Sequence, residues 1–121
     1  MKRILFIEPD FYKRVDLEDI LSPHGFQVIS VKDRYAALMK LKSQIFSLIL
    51  TELQTNDADL FFLLKSLRET DSKIPVVVLA NKPTKELISQ LMVYKPIEVI
   101  VMPFSIKHLA IRLNQIVQKP S

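Results

Sequence analysis

The sequence predicts a doubly wound α/β domain built around a parallel sheet, and two observations carry that expectation. Five short apolar segments of strand length alternate with five segments of helical periodicity, and turn or cap residues fall between them. The strand-like segments are also largely unalternated, as strands covered on both faces are.

Taken in order, Arg3–Glu8 is the first strand, an Ile-Leu-Phe-Ile run ended by a carboxylate. Val15, Ile20 and Leu21 then recur at helical spacing, and Ser22-Pro23-His24-Gly25 stops that helix. Phe26–Val31 is the second strand; Asp33 is placed to cap a helix carrying Leu38, Leu41 and Ile45. Leu48–Thr51 is the third strand, followed by a helix with Leu60, Leu63, Leu64 and Leu67 on one face. Pro75 introduces the fourth strand, Val76–Ala80, and Leu87, Ile88 and Leu91 mark the fourth helix. Pro96 introduces the fifth strand, Ile97–Val101. Ser105 is a cap for the last helix, whose stripe is Ile106, Leu109, Ala110, Leu113, Ile116 and Val117.

With 121 residues the chain is read as one domain over 1–118, with 119–121 as a tail or the start of a linker. Hydrophobic residues are 49% and charged residues 25%, the balance of a chain that buries a core rather than of a disordered one. Cysteine is absent, which removes disulfides, thiolate chemistry and cysteine-bound metals together. The start, Met1-Lys2-Arg3 before four apolar residues, is cut short by Glu8, so it does not read as a signal peptide. No run approaches the roughly 18 apolar residues of a membrane span. A cytoplasmic location without membrane contact is the expectation. The net charge of +4 would permit contact with nucleic acid, but the basic residues are scattered, Lys13 and Arg14 among them. A solvated basic surface fits better than a nucleic-acid interface.

In a doubly wound sheet the functional crevice lies at the carboxyl ends of the strands. There the chain presents Glu8-Pro9-Asp10, Glu52, Ala80-Asn81-Lys82 and Met102-Pro103-Phe104. Forty-four residues separate Glu8 from Glu52, 28 separate Glu52 from Ala80, and 22 separate Ala80 from Met102. In these intervals, in Ile74-Pro75-Val76 and in Met102-Pro103-Phe104, residues 3 to about 118 resemble the response-regulator receiver (CheY-like) family.

The resemblance implies a flavodoxin/CheY-like (βα)5 three-layer sandwich with a five-stranded parallel sheet in the order 2-1-3-4-5. It also implies an acidic pair after strand one, an acceptor Asp after strand three, Thr or Ser after strand four, and Lys before a cis-Pro after strand five. Here Glu8 stands for one acid, while Pro9 holds the second acidic position with neither carboxylate nor amide hydrogen. Glu52 replaces the acceptor, and one added methylene moves a carboxylate by about 1.5 Å. Misplacement by about 1 Å can cost on the order of a hundredfold. Ala80 removes the phosphate-binding hydroxyl and Met102 the countercharge. Ala80 and Val99 stand where the family's switch Thr/Ser and strand-five aromatic would be, so the two-state relay lacks its parts. The stretch Leu53-Gln54-Thr55-Asn56-Asp57 also lacks the family's Pro-Gly.

These departures predict a degenerate receiver, a pseudo-receiver: a signalling module acting by protein–protein interaction independently of phosphorylation, and not an enzyme. No cofactor is expected, with Glu8, Asp10 and Glu52 as weak candidates for a divalent ion such as Mg2+. The rival expectations are a residual phosphoacceptor with a relocated acid such as Asp10, and a basic nucleic-acid-binding module. Glu52 admits two readings, an imitation of phospho-aspartate or a remnant carboxylate; the missing switch residues favour the remnant. Glu8 and Glu52 should lie together and need a cation, and Lys82 is the expected one, in a Glu8–Lys82–Glu52 cluster. Asp10 is expected to cap a helix or lie solvated.

The partner face is expected on helix four, strand five and helix five, with Met92, Val93, Lys107, His108 and Arg112, for an effector domain, another protein or a homodimer. Phe62, opposite the leucine stripe of helix three, is a second candidate.

Overall fold

The computed structural model describes residues 2–54 and 57–118. The strands are β1 (Lys2–Ile7), β2 (Phe26–Val31), β3 (Leu48–Glu52), β4 (Val76–Ala80) and β5 (Ile97–Val101). They alternate with α1 (Phe11–Leu21), α2 (Arg34–Ser43), α3 (Ala58–Glu69), α4 (Lys85–Met92) and α5 (Ile106–Gln118). All strand pairs are parallel and the sheet order is β2-β1-β3-β4-β5, the predicted doubly wound arrangement.

Strand alternation divides the core into two layers. Ile4 and Phe6 of β1, Leu48 and Leu50 of β3, and Val77 and Leu79 of β4 meet Leu17 and Leu21 of α1 and Leu109, Ala110 and Leu113 of α5. Leu5, Ile49, Val76 and Val78 face the other way, onto Ala37 of α2, the Leu60, Leu63, Leu64 and Leu67 stripe of α3, and Leu91 of α4. Each such fully buried leucine contributes about 1.5–3 kcal/mol of transfer free energy. The sheet therefore holds its carboxyl ends in fixed register.

The caps form as the residue types require. Asp33 accepts from the Ala36 amide at 2.9 Å, and the Ser105 hydroxyl oxygen accepts from the His108 amide at 3.0 Å. Gly25 closes the 3-10 turn after α1 with φ of 87°, a left-handed conformation that glycine adopts without a side-chain clash. Three helical faces differ from expectation. On α1 the buried residues are Leu17 and Leu21, whereas Val15 is exposed, because the i, i+4 pair sets the inward direction. Helix α2 ends at Ser43, leaving Ile45 88% exposed beyond it; Ala37 is its buried residue, and Leu38 and Leu41 pack partly buried against the core as expected. On α4 only Leu91 is fully buried, with Leu87 partly so. The expected tail, Lys119-Pro120-Ser121, lies outside the described residues.

Among the described residues no helix is long and apolar enough to cross a membrane.

Candidate functional site

Parallel register brings the two glutamates together. Ile7 of β1 pairs with Thr51 of β3, so Glu8 and Glu52 come next, side by side on adjacent strands. Both continue the even-numbered series, Ile4-Phe6 and Leu48-Leu50, that faces α1 and α5. The Glu8 amide donates to the Val31 carbonyl at 2.9 Å, and the residue is 1% exposed.

The cation between them is Lys13. Its Nζ lies 3.7 Å from Glu8 Oε1 and 3.6 Å from Glu52 Oε2. This corrects the expected Glu8–Lys82–Glu52 cluster. Helix α1 covers the face toward which both glutamates point, whereas Lys82 sits exposed in the loop after β4 with φ of 51° and makes no ion pair among the described residues. Lys13 had a legible signal in the third helical position after Asp10, but only the packing of α1 on the even-numbered face converts that position into a contact.

The electrostatics follow. Burial, then the Glu52 carboxylate, push the Glu8 carboxyl above its ordinary 4.5, with Lys13 pulling the other way. The carboxylates hold the Lys13 ammonium above its usual 10.5, Glu52 more than Glu8. Glu8 Oε2 is buried and, among the described residues, has no hydrogen-bond partner. The backbone beneath is held by Arg14, whose Nη1 donates to the Glu8 carbonyl at 2.7 Å and the Pro9 carbonyl at 2.9 Å.

Asp10 does not join the glutamates. Its Oδ1 accepts from the Tyr12 and Lys13 amides at 2.8 and 3.2 Å, the N-cap geometry of α1. Pro9 is exposed and carries no donor or acceptor side chain. A divalent ion of the magnesium kind wants several hard oxygen ligands in near-octahedral geometry. Here the neighbouring acid is proline, the next carboxylate is turned onto a helix, and an ammonium already bridges the remaining two. These residues do not fit the ion that the fold family implies.

At the remaining strand ends Ala80 is fully buried, and its carbonyl accepts from the Met102 amide at 2.8 Å. Met102 is half-buried and precedes a cis peptide to Pro103, as the resemblance implies. Val99 packs partly buried against the core layer of α3 and α4. Beyond β3, Thr55 and Asn56 of the stretch lacking Pro-Gly lie outside the described residues. Asp57 accepts from the Gln54 amide at 3.0 Å and the Leu60 amide at 2.9 Å.

Sequence reasoning missed Arg34. Beside Glu52 lies a small cleft of about 130 Å3, lined in part by Pro9, Lys32, Arg34, Asp57 and Asp59. The Arg34 guanidinium stands 4.0 Å from the Phe62 ring centre and 4.8 Å from that of Tyr35, and Nη1 pairs with Asp59 at 3.5 Å. Phe62, though 54% exposed, therefore has an intramolecular partner.

On the expected partner face Val93 is 77% exposed, Met92 is partly buried against the core, and Lys107 and His108 are exposed. Arg112 is engaged: its Nε donates to Glu98 Oε2 at 2.6 Å, its Nη2 meets Glu98 Oε1, and its Nη1 donates to Gln115 at 3.1 Å. A groove of about 780 Å3 at the start of β4 and β5 is lined by Met92, Lys95, Ile97, Glu98, Arg112 and Ile116 among others.

No family model matches the chain, and no curated protein does. Solved structures do match. A Francisella response-regulator receiver domain (regulator 1452) superposes with a TM-score of 0.84 at 23% identity, covering 98% of each chain. The chain has the receiver fold. The Vibrio cholerae chemotaxis protein CheY4 gives a TM-score of 0.84 at 19% identity over 96% of this chain and 98% of its own. A two-component response regulator from Clostridium difficile gives 0.85 at 20% identity, with 98% of each covered. The chain thus has the complete (βα)5 scaffold of those structures.

Proposed function

We propose that this receiver-like domain is a signalling module of the two-component type that works by binding a protein partner and without phosphotransfer. The observation that carries the reading is the Lys13 ammonium bridging Glu8 and Glu52, where a phosphoryl group and its metal would have to enter. Pro9, Ala80 and Met102 support it, since metal ligand, phosphate contact and countercharge are each replaced by a group that cannot supply them. The alternative of a relocated acceptor at Asp10 loses support because that carboxylate is occupied in capping α1. Nothing in this reading asks the domain to be an enzyme.

The contact surface we assign is the α4–β5–α5 face. Val93 is its most exposed apolar residue, and the groove beside Met92 and Arg112 offers depth that a flat surface lacks. Treatment with acetyl phosphate and Mg2+ followed by intact mass tests the chemistry. The expected spectrum is unchanged, and a stoichiometric phosphoryl adduct would overturn the reading. Val93→Asp tests the face: the domain stays folded, and association with itself or with a bound partner falls at least tenfold. Equal association by the variant would rule the face out.

A further inference from the structure

We propose that Lys13 is a tethered cation that takes the electrostatic place of a divalent ion, so that the Glu8–Glu52 pocket excludes metal as it stands and becomes a metal site once the ammonium is removed. Geometry supplies the first support, with Nζ 3.7 Å from Glu8 and 3.6 Å from Glu52. The second is where Lys13 stands. It occupies the first turn of α1, behind the Asp10 cap, where the helix dipole favours anions and disfavours cations. No acidic residue shares that turn, so the lysine gains its counter-charges from the strand ends and from the cap. The third is Glu8 Oε2, buried and, among the described residues, without a hydrogen-bond partner, while the ammonium lies against Oε1.

A mobile divalent ion would have to displace a positive charge that the chain itself holds in place. Tethering makes that charge independent of metal concentration. With the ammonium gone, Glu8 and Glu52 remain as two hard oxygen donors facing one another across adjacent strands. Two carboxylates completed by water are a ligand set that magnesium and manganese accept. The proposal concerns metal alone and does not depend on which partner the α4–β5–α5 face meets.

Amide spectra of the intact chain titrated with MnCl2, and calorimetric titration with MgCl2, test it on the wild type, Lys13→Met and Lys13→Arg. Lys13→Met keeps the apolar stem, and the side chain is 57% exposed, so the variant is expected to fold. Manganese should broaden the Glu8 and Glu52 amides selectively in Lys13→Met alone, with at least tenfold tighter Mg2+ binding than in the wild type. Lys13→Arg should behave as the wild type does. Selective broadening at Glu8 and Glu52 in the wild type at the same manganese concentration would overturn the proposal, and that measurement needs no variant. A folded Lys13→Met that gains no affinity would overturn it too.

Discussion

The two ends of the sheet hold a charged side chain in opposite ways. At the carboxyl end, Glu8 is almost wholly enclosed, yet among the described residues one carboxylate oxygen has no hydrogen bond and the other meets only an exposed lysine at 3.7 Å. At the amino end, the guanidinium of Arg68, rising from α3, donates from Nε to the Tyr94 carbonyl at 2.8 Å, from Nη1 to Ser72 at 2.9 Å and from Nη2 to Pro96 at 2.8 Å. Those three bonds tie the α3–β4 connection to the α4–β5 connection. The amino end is thus built for rigidity by short charge-assisted bonds. The carboxyl end keeps a burdened carboxylate that stability alone would not select.

The contrast can be broken most forcefully at Arg68. Arg68→Ala removes three bonds to carbonyls, of which that of Pro96 keeps the Val76 amide as donor, and should destabilise the domain by roughly 2 kcal/mol in denaturant unfolding. Arg68→Lys should recover only part of that, because an ammonium cannot reproduce the planar fork. A loss below about 1 kcal/mol would mean that the amino end is no more tightly built than the other.

At the carboxyl end the cap matters more than the charge cluster. Asp10→Ala removes the acceptor for two helix amides and should cost about 1 kcal/mol in the same assay.

Glu8 offers a sharper probe through pH. Its pKa is raised in the folded state, so its contribution to stability is complete below about 4.5 and is lost as the pH rises through the folded value. Glu8→Gln removes that loss. The unfolding free energy of the variant relative to the wild type should therefore increase between pH 4 and pH 7, and parallel stability–pH curves would show that the buried carboxylate carries no such burden. The smallest effect belongs to Lys82. With no ion pair formed among the described residues, Lys82→Ala should change stability by less than about 0.5 kcal/mol, in contrast to a residue holding the acidic pocket together.

Much of the fold was legible along the chain because it rests on period. Three strand spans, Phe26–Val31, Val76–Ala80 and Ile97–Val101, coincide with their sequence expectation, while β1 lies one residue earlier and β3 runs one residue longer. The α3 leucine stripe is buried as its spacing requires. Helices α1 and α2 were less legible: their apolar residues are few, so one or two side chains decide which face turns inward, and that choice is made by the sheet they meet. Arg34 was illegible because its partners, Phe62 and Asp59, come from α3, across the layer.

By itself the sequence determined the alternation of strands and helices, the caps at Asp33 and Ser105, and the residue types that leave the strands at Pro9, Glu52, Ala80 and Met102, since these depend on residue type and local spacing. Tertiary structure decided which cation meets the two glutamates. Lys13 and Lys82 are equally basic on paper, but α1 packs on the face toward which Glu8 and Glu52 point and the loop carrying Lys82 does not. Charge pairing across a fold is set by which surfaces are brought within a few ångströms, a quantity that no local pattern contains.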